Sequence, residues 1–202
     1  MDLNVNVLFL PSEKEMYQKT YDVNVPETSL FKKLEGQSRP HFFYGVTTIV
    51  AKLFNVIKPS HTFFGEKDAQ QLCVIKQMII NMKYSIILIS CPTIRDEYGL
   101  ALSSRNQYLS KQQQKQATII YKGLMQLKKD INLGEINSNI LKKSYTKLIS
   151  TVPNMCIDYI SIASINTLDE IQTIKSGTIL ISTAVFFHNI RLIDNLIYSS
   201  ET

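Results

Sequence analysis

Tryptophan is absent from this chain, glycine is scarce at 7 of 202 residues, and only 3 cysteines are present. Because Cys73, Cys91 and Cys156 are odd in number and far apart, they exclude a disulfide framework and lack the paired spacing of a zinc site. The histidines are equally scattered, and we therefore expect no metal site. This cysteine usage fits a reducing compartment, and we expect a cytoplasmic protein.

The chain also lacks the sequence features of export and of membrane insertion. Its N-terminal region has no basic stretch followed by an apolar one, and no apolar run approaches the length that spans a bilayer. We therefore expect an untargeted protein with no membrane partner. At 202 residues and 45% hydrophobic content, the chain is long enough for one large or two small domains.

A strong excess of one charge is missing as well. The 22 Lys and Arg residues outnumber the 17 Asp and Glu residues by 5, and they are scattered apart from short pairs such as Lys32-Lys33. A nucleic-acid surface usually gathers its cations on one face, so we expect no nucleic-acid partner. A small anionic ligand needs only a few of these charges.

Apolar periodicity in the first half of the chain alternates between strand and helix. Residues 5–10, 62–64 and 85–90 predict strands, and the β-branched run at 85–90 is typical of a strand buried on both faces. Residues 46–57 and 72–82 repeat apolar side chains at helical spacing. This order predicts an α/β fold with a parallel sheet and crossover helices.

The pattern changes after Pro92, where a polar loop begins. Beyond it we predict a long helix over residues 111–131 and a second helix over 138–149 that Ser138 caps. Three strands are predicted at residues 157–163, 178–184 and 190–197. We therefore place the domain boundary between residues 93 and 94, with an α/β domain at 1–93 and a small α+β domain at 94–202.

One candidate site lies at the predicted junction of a strand and a helix, where Gly65 is followed by Lys67 and Asp68. Free backbone N–H groups and the helix dipole favour an anion at such a position, and an ammonium group there would face a phosphate. An ordinary surface lysine beside a helix-capping Asp68 explains the same spacing.

A second candidate site is the segment Ser103-Ser104-Arg105. Two hydroxyl groups and one planar guanidinium match the oxygen atoms of a phosphate in geometry as well as in charge. A plain helix cap after a loop would use the same residue types.

Taken together, the sequences Phe-Gly-Glu-Lys-Asp-Ala-Gln-Gln at residues 64–71 and Gly-Leu-Ala-Leu-Ser-Ser-Arg-Asn at 99–106 resemble the pantothenate synthetase (pantoate–β-alanine ligase) family. The similarity runs from about residue 5 to residue 197. It includes shorter matches at residues 39–40, 45–46, 51–55 and 190–195.

The resemblance implies a ligase of pantothenate biosynthesis, the route to coenzyme A. Its substrates would be pantoate, β-alanine and ATP with Mg²⁺, and it would form a pantoyl-adenylate intermediate and release AMP and pyrophosphate. The implied fold is a partial Rossmann-like domain followed by a small α+β lid domain, in a homodimer. The alternatives are an inactive remnant that serves as a binding or assembly protein, and an adenylating enzyme for another small acid.

The resemblance also assigns roles to individual residues. The implied catalytic residues, all at the ATP phosphates, are Lys67, Ser103, Ser104 and Arg105. The other implied ATP ligands are Asp68 at the ribose and Phe64, Gly65 and Ile94 around adenine. The implied pantoate pocket contains Gln71 and Arg39. Gln70 has no role in the family, and we interpret it as ordinary helix surface.

Two departures from the family pattern stand out. The family commonly reads Arg-Pro-Gly-His-Phe-x-Gly-Val, but here Phe42 takes the place of the histidine and His41 comes one position early. We therefore do not transfer the histidine's role to His41. The family's opening strand, its His-x-Gly-His turn that grips ATP and its Asn-Pro-x-Gln-Phe segment are also missing from this sequence. We expect the chain to fold only in part, or to need the missing piece from elsewhere, and to have little activity on its own.

Overall fold

The computed structural model describes residues 5–18 and 22–200, and these residues form a two-stranded parallel sheet and a three-stranded antiparallel sheet. The first half contains α1 (Glu13–Met16), α2 (Glu35–Ser38), α3 (Phe42–Ile57), β1 (His61–Gly65), α4 (Ala69–Asn81) and β2 (Ile87–Cys91). The second half contains α5 (Lys111–Ala117), α6 (Ile119–Asn132), α7 (Ser138–Ile149), β3 (Met155–Ser164), β4 (Gly177–Phe187) and β5 (Ile190–Ser200). Short 3₁₀ turns cover Ser29–Lys32, Glu66–Asp68 and Ser104–Tyr108.

The parallel sheet is a strand–helix–strand unit in which α4 crosses from β1 to β2. Its register pairs Gly65 with Cys91, so the carboxyl ends of both strands lie at one edge. Helices α3 and α4 cover one face of the sheet, where Phe64 and Leu88 pack against a cluster that includes Phe54. Ligands of open parallel sheets bind beyond the carboxyl ends of the strands, which directs attention to the residues after Gly65.

Two predictions about this first half are wrong. Residues 5–10 are not a strand, because the parallel sheet of the described residues contains only β1 and β2 and offers them no backbone partner. Strand β2 is not buried on both faces: Ile87 is 59% exposed, and Phe63 on β1 is 64% exposed. The helices cover one face only, and among the described residues no element lies over the other.

The second half agrees with the predicted α+β pattern, with two local differences. The expected single helix is divided into α5 and α6 at Thr118, whose hydroxyl donates to the carbonyl of Lys115 at 2.7 Å and competes with the helical backbone bonding. Helix α7 is capped by Asn137 and not by Ser138, since the Asn137 side chain accepts hydrogen bonds from the backbone N–H groups of Asn139 and Ile140.

The antiparallel sheet has the strand order β3-β4-β5 and separates two apolar clusters. Helices α6 and α7 cover one face, where Leu124 and Ile162 belong to the main core. On the other face, Leu180 packs with Phe43 and Val74 of the first half. This shared cluster joins the two halves through apolar contacts and places this face of the sheet next to α3 and α4.

The α6–α7 contact depends on a glycine at its closest approach. A Cβ atom on Gly123 would lie 2.6 Å from Cε2 of Tyr145, a side chain that is only 1% exposed. We predict that Gly123→Ala lowers the free energy of unfolding by about 1–3 kcal/mol through overpacking. Urea denaturation measures this change.

Gly45→Ala on α3 is the matched control, because a Cβ atom there meets no heavy atom within 4 Å. The control should be neutral or more stable by up to about 1 kcal/mol, since alanine favours the helix. A Gly123→Ala variant as stable as the Gly45→Ala variant would contradict the packing account.

Candidate active site

A cavity of about 290 Å³ lies beyond the end of β1, between the first half of the chain and the antiparallel sheet. Most of the residues that the sequence predicted as phosphate or pantoate ligands line it. They are Arg39, Lys67, Asp68, Gln71, Ser103, Ser104 and Arg105. Three segments distant in the sequence therefore contribute to one site.

The first segment is the turn that joins β1 to α4. Gly65 ends the strand, Glu66–Asp68 forms a 3₁₀ turn, and α4 begins at Ala69. Lys67 is half-buried at the cavity wall, and in residues 5–18 and 22–200 its ammonium group has no ion-pair partner. The positive end of α4 and this free charge both favour an anion here.

The second segment starts with Ser103, whose hydroxyl accepts a hydrogen bond from the backbone N–H of Arg105 at 3.2 Å. The helix-cap interpretation of this serine is thus confirmed, and the residue also lines the cavity. Arg105 is exposed, and its Nη1 donates to the backbone carbonyl of Arg191 at 3.2 Å. The remaining donors of this guanidinium are available to a ligand.

The loop that leads into this second segment is held by a charge pair. The Arg95 guanidinium donates two hydrogen bonds to the Asp194 carboxylate, at 2.7 and 2.8 Å, and a third to the carbonyl of Gly99 at 3.1 Å. Its Cζ atom lies 3.6 Å from the ring centroid of Tyr121. Bidentate and cation–π contacts of this kind fix both the charge and the plane of the guanidinium.

The third segment contains Glu35 and Arg39. Arg191 of β5 donates to both Glu35 carboxylate oxygens, at 2.6 and 3.0 Å, and also to Asp158. The Tyr159 hydroxyl donates to Glu35 at 2.9 Å. This network fixes α2 and the residues after it against the antiparallel sheet.

Burial and neighbouring charge shift the pKa values of two groups in this network. Burial raises the pKa of Tyr159 well above its ordinary value, and the Glu35 carboxylate raises it further. Burial disfavours the charged form of Arg191, but its hydrogen bonds to Glu35 and Asp158 outweigh this and raise its pKa. The tyrosine therefore stays neutral and the arginine charged at physiological pH.

Arg39 lies at the cavity with its guanidinium stacked on Phe42, 3.9 Å from the ring centroid. Phe42, which replaces the family's histidine, also lines the cavity, whereas His41 does not. His41 has a φ of 69°, a left-handed conformation that glycine adopts most readily. This is the position where the family commonly has glycine, so the local backbone agrees with the alignment of Phe42 to the family's histidine.

The two neighbouring glutamines at the start of α4 have different environments, and one interpretation is wrong. Gln71 lines the cavity, as its predicted substrate role requires. Gln70 is not ordinary helix surface: it is 6% exposed, donates to the carbonyls of Leu30 and Lys33, and accepts from the N–H of Glu35. It fastens α4 to the segment that carries Glu35.

Three predicted adenine contacts lie outside the lining of this cavity. Phe64 packs into the core between the parallel sheet and its helices, and Ile94 is 66% exposed. Gly65 ends β1 beside the Lys67 turn, and a Cβ atom there would meet open space. Their roles around adenine stay predictions.

Sequence reasoning missed several cavity residues, among them Glu35, Arg191, Asp194 and Asn195. The last three belong to residues 190–195, which were noted only as a similarity to the family. Charged and amide side chains inside a predicted strand were a usable signal, because such groups are seldom buried without a partner.

Neither a metal centre nor a membrane segment is found where the structure describes the chain. In residues 5–18 and 22–200, no three His, Cys, Asp or Glu side chains gather closely enough to hold a metal ion. No helix in these ranges is both long and apolar enough to cross a bilayer.

Comparison with known proteins identifies the same family that the two sequence motifs resemble. The family model for pantoate-beta-alanine ligase matches residues 1–197. The pantothenate synthetase of Acetivibrio thermocellus is 44% identical over 193 residues, which cover 96% of this chain and 68% of that protein. The enzyme of the same name from Fervidobacterium nodosum is 43% identical over 195 residues, covering 96% of this chain and 69% of that protein.

Solved structures agree with these relatives. A crystal structure of pantothenate synthetase from Thermus thermophilus has a TM-score of 0.88 at 35% identity, over 96% of this chain and 70% of that chain. Pantoate-beta-alanine ligase from Francisella tularensis, complexed with beta-gamma ATP and beta-alanine, has a TM-score of 0.69 at 32% identity, over 96% of this chain and 66% of that chain.

The buried environment of Gln70 leads to a stability prediction. Gln70→Ala removes the partner of the Leu30 carbonyl and of the Glu35 N–H group, whereas the Lys33 carbonyl keeps the N–H of Gly36. We expect it to lower the free energy of unfolding by about 2–4 kcal/mol, since each buried unsatisfied group costs roughly 1–3 kcal/mol. Gln77→Ala on the same helix loses one exposed hydrogen bond to Asn81 and should change it by less than about 0.5 kcal/mol. Equal urea midpoints for the two variants would show that Gln70 is ordinary surface after all.

Proposed function

This chain belongs to the pantoate-beta-alanine ligase family, and on that premise we propose that its cavity binds ATP and pantoate and forms pantoyl adenylate, which β-alanine then converts to pantothenate. The observation that supports this most strongly is the convergence of Arg39, Lys67, Gln71 and Ser103–Arg105 on one cavity. A small anionic substrate and the phosphates of ATP both need such a group of cations and hydroxyls.

The phosphate-binding part of the proposed site combines Lys67, Ser103, Ser104 and Arg105. Lys67 and Arg105 supply positive charge from two sides, and the hydroxyl groups and the N-terminus of α4 supply hydrogen bonds. Asp68, next to Lys67 at the cavity, is the proposed ribose ligand. We propose that Phe64, Gly65 and Ile94 surround the adenine, on the β1 side of the turn.

The pantoate-binding part of the proposed site uses Gln71 and Arg39. The amide of Gln71 can donate to a carboxylate and accept from a hydroxyl, which suits a hydroxy acid. Arg39 brings a cation whose plane is fixed by its stacking on Phe42. This pair favours pantoate over longer or apolar acids.

The proposed reaction has two steps and needs no covalent enzyme nucleophile. A carboxylate oxygen of pantoate attacks the α-phosphorus of ATP, the bond from that phosphorus to the bridging oxygen breaks, and pyrophosphate leaves. The amine of β-alanine then attacks the carbonyl carbon of the mixed anhydride, AMP leaves, and the amine loses a proton. Positioning of the two reactants lowers the barrier because association entropy has already been lost on binding.

Charge stabilisation is the other contribution that we propose for this chain. Negative charge builds on the phosphate oxygens as pyrophosphate leaves, and Lys67 and Arg105 are placed to oppose it. Mg²⁺ enters with ATP as part of the substrate, where it neutralises phosphate charge.

The domain arrangement completes the proposal. With a boundary between residues 93 and 94, Ser103–Arg105 belongs to the second domain and Lys67 to the first, so closure of the two would keep water from the adenylate. A homodimer in the cytoplasm is part of the same proposal.

Pantoate-dependent release of pyrophosphate from Mg-ATP tests this function. We predict that Lys67→Ala lowers its rate by about 10²–10³-fold, as expected when one charge-stabilising donor is removed, and that Ser103→Ala lowers it less. Lys76→Ala, which removes an exposed lysine from α4 outside the cavity, should leave the rate within about twofold.

Two results would contradict the proposal. One is pyrophosphate release by the unmodified, folded chain at the same rate with and without pantoate. The other is a Lys67→Ala variant that keeps the full rate, which would remove the phosphate role of this lysine.

A further inference from the structure

We propose that Asn195 of β5 is a positioning residue that holds the Lys67 turn and thereby aims the lysine ammonium into the cavity. The inference rests on the proposed function, since it gives Lys67 a phosphate to meet. The Asn195 amide donates to backbone carbonyls and not to any of the four proposed phosphate-binding side chains, so it acts on Lys67 through the backbone of the turn.

The geometry comes from two hydrogen bonds. Nδ2 of Asn195 donates to the backbone carbonyls of Glu66 and Lys67, at 2.9 Å each. Asn195 is 7% exposed, so water competes little for these bonds. The two carbonyls are consecutive in the turn between β1 and α4, and fixing both of them fixes the peptide plane that precedes and the one that follows the Lys67 Cα atom.

An amide at this position has no simple replacement. Both of its hydrogens leave one nitrogen atom in fixed directions, which a single hydroxyl cannot reproduce. A carboxylate of the same shape has no donor at neutral pH and would place negative charge against two carbonyl oxygens.

Strand β5 holds the backbone of Asn195 in a fixed position. Asn195 pairs with Ser182 of the central strand β4, and its own backbone N–H donates to the Asp194 carboxylate at 2.8 Å. Because side chains alternate across a strand, the Asp194 side chain extends from the opposite face of β5, where it binds Arg95. Two successive residues thus hold the two segments that approach the phosphates from opposite sides.

A loosened turn would slow the reaction by more than the loss of the two Asn195 hydrogen bonds alone suggests. Lysine is flexible and loses rotamer entropy when it binds, so the position of its backbone decides how often the ammonium reaches the phosphate. A displacement of about 1 Å at a reacting group can cost on the order of 10²-fold in rate.

The decisive experiment is a double-mutant cycle of Mg-ATP affinity, measured by calorimetry on Asn195→Ala, Lys67→Ala and the double variant. We expect Asn195→Ala to weaken binding about 10-fold in the unmodified background and by less than about twofold in the Lys67→Ala background, because residues that act as one unit are not additive. Asn132→Ala, which loses one exposed contact to the Tyr198 hydroxyl, is the control and should not change the affinity. The same loss in both backgrounds would overturn the proposal.

A second measurement does not depend on ATP. Hydrogen–deuterium exchange of the free protein should show faster exchange at residues 66–71 in both Asn195→Ala and Asn195→Asp, with unchanged exchange in α6. Unchanged exchange at residues 66–71 would show that Asn195 does not hold the turn. If the unmodified chain did not bind Mg-ATP, the proposed function would be wrong, and the exchange result would still decide the structural part.

Discussion

Three residues of β5, Arg191, Asp194 and Asn195, bind the three segments that line the cavity with candidate ligands. Arg191 holds Glu35 with its side chain and Arg105 with its carbonyl, Asp194 holds Arg95, and Asn195 holds the Lys67 turn. The three segments lie far apart in the sequence, and ordering them independently would cost conformational entropy in each. One strand, itself fixed by its ladder with β4, orders them together.

This arrangement also pairs the buried carboxylates with arginines and leaves other cations of the cavity unpaired. The buried carboxylates of Glu35 and Asp194 are each taken up by an arginine through two hydrogen bonds, so neither is left as an unpaired negative charge next to the phosphates. Lys67, Arg39 and Arg105 have no carboxylate partner within the described residues, and their charges remain for the ligands. The acidic residues of the site therefore serve to build it, and the free cations to bind.

Structural features that arise from residues close in the sequence could be predicted, and features that arise from distant residues could not. The helices and strands of the second half were predicted because their apolar period is a local signal, and the confirmed α/β order follows from the same signal. The motif residues Lys67 and Ser103–Arg105 were found because glycine, cation and hydroxyl are close in sequence. The predictions that failed concern features that tertiary contacts decide. Gln70 and Gln71 are indistinguishable in a helical pattern, and only the position of residues 30–35 decides which one is buried.

The same limit explains the errors in the parallel sheet. A β-branched run such as residues 85–90 is compatible with burial on one face or on two, because the run itself does not report what covers each face. The run at residues 5–10 has strand composition, but a strand also requires a neighbour with free backbone groups. The partners Arg95 and Asp194 are 99 residues apart, and no local pattern links them.

The central claim is that residues 35–42, 65–71 and 101–106 form one binding site. It is tested most directly by hydrogen–deuterium exchange with and without saturating Mg²⁺, pantoate and an ATP analogue that cannot be cleaved at the α-phosphorus. We expect all three segments to gain protection together, while α7, outside the cavity, does not change. Protection of only one segment, or of none at saturating ligand, would contradict the claim.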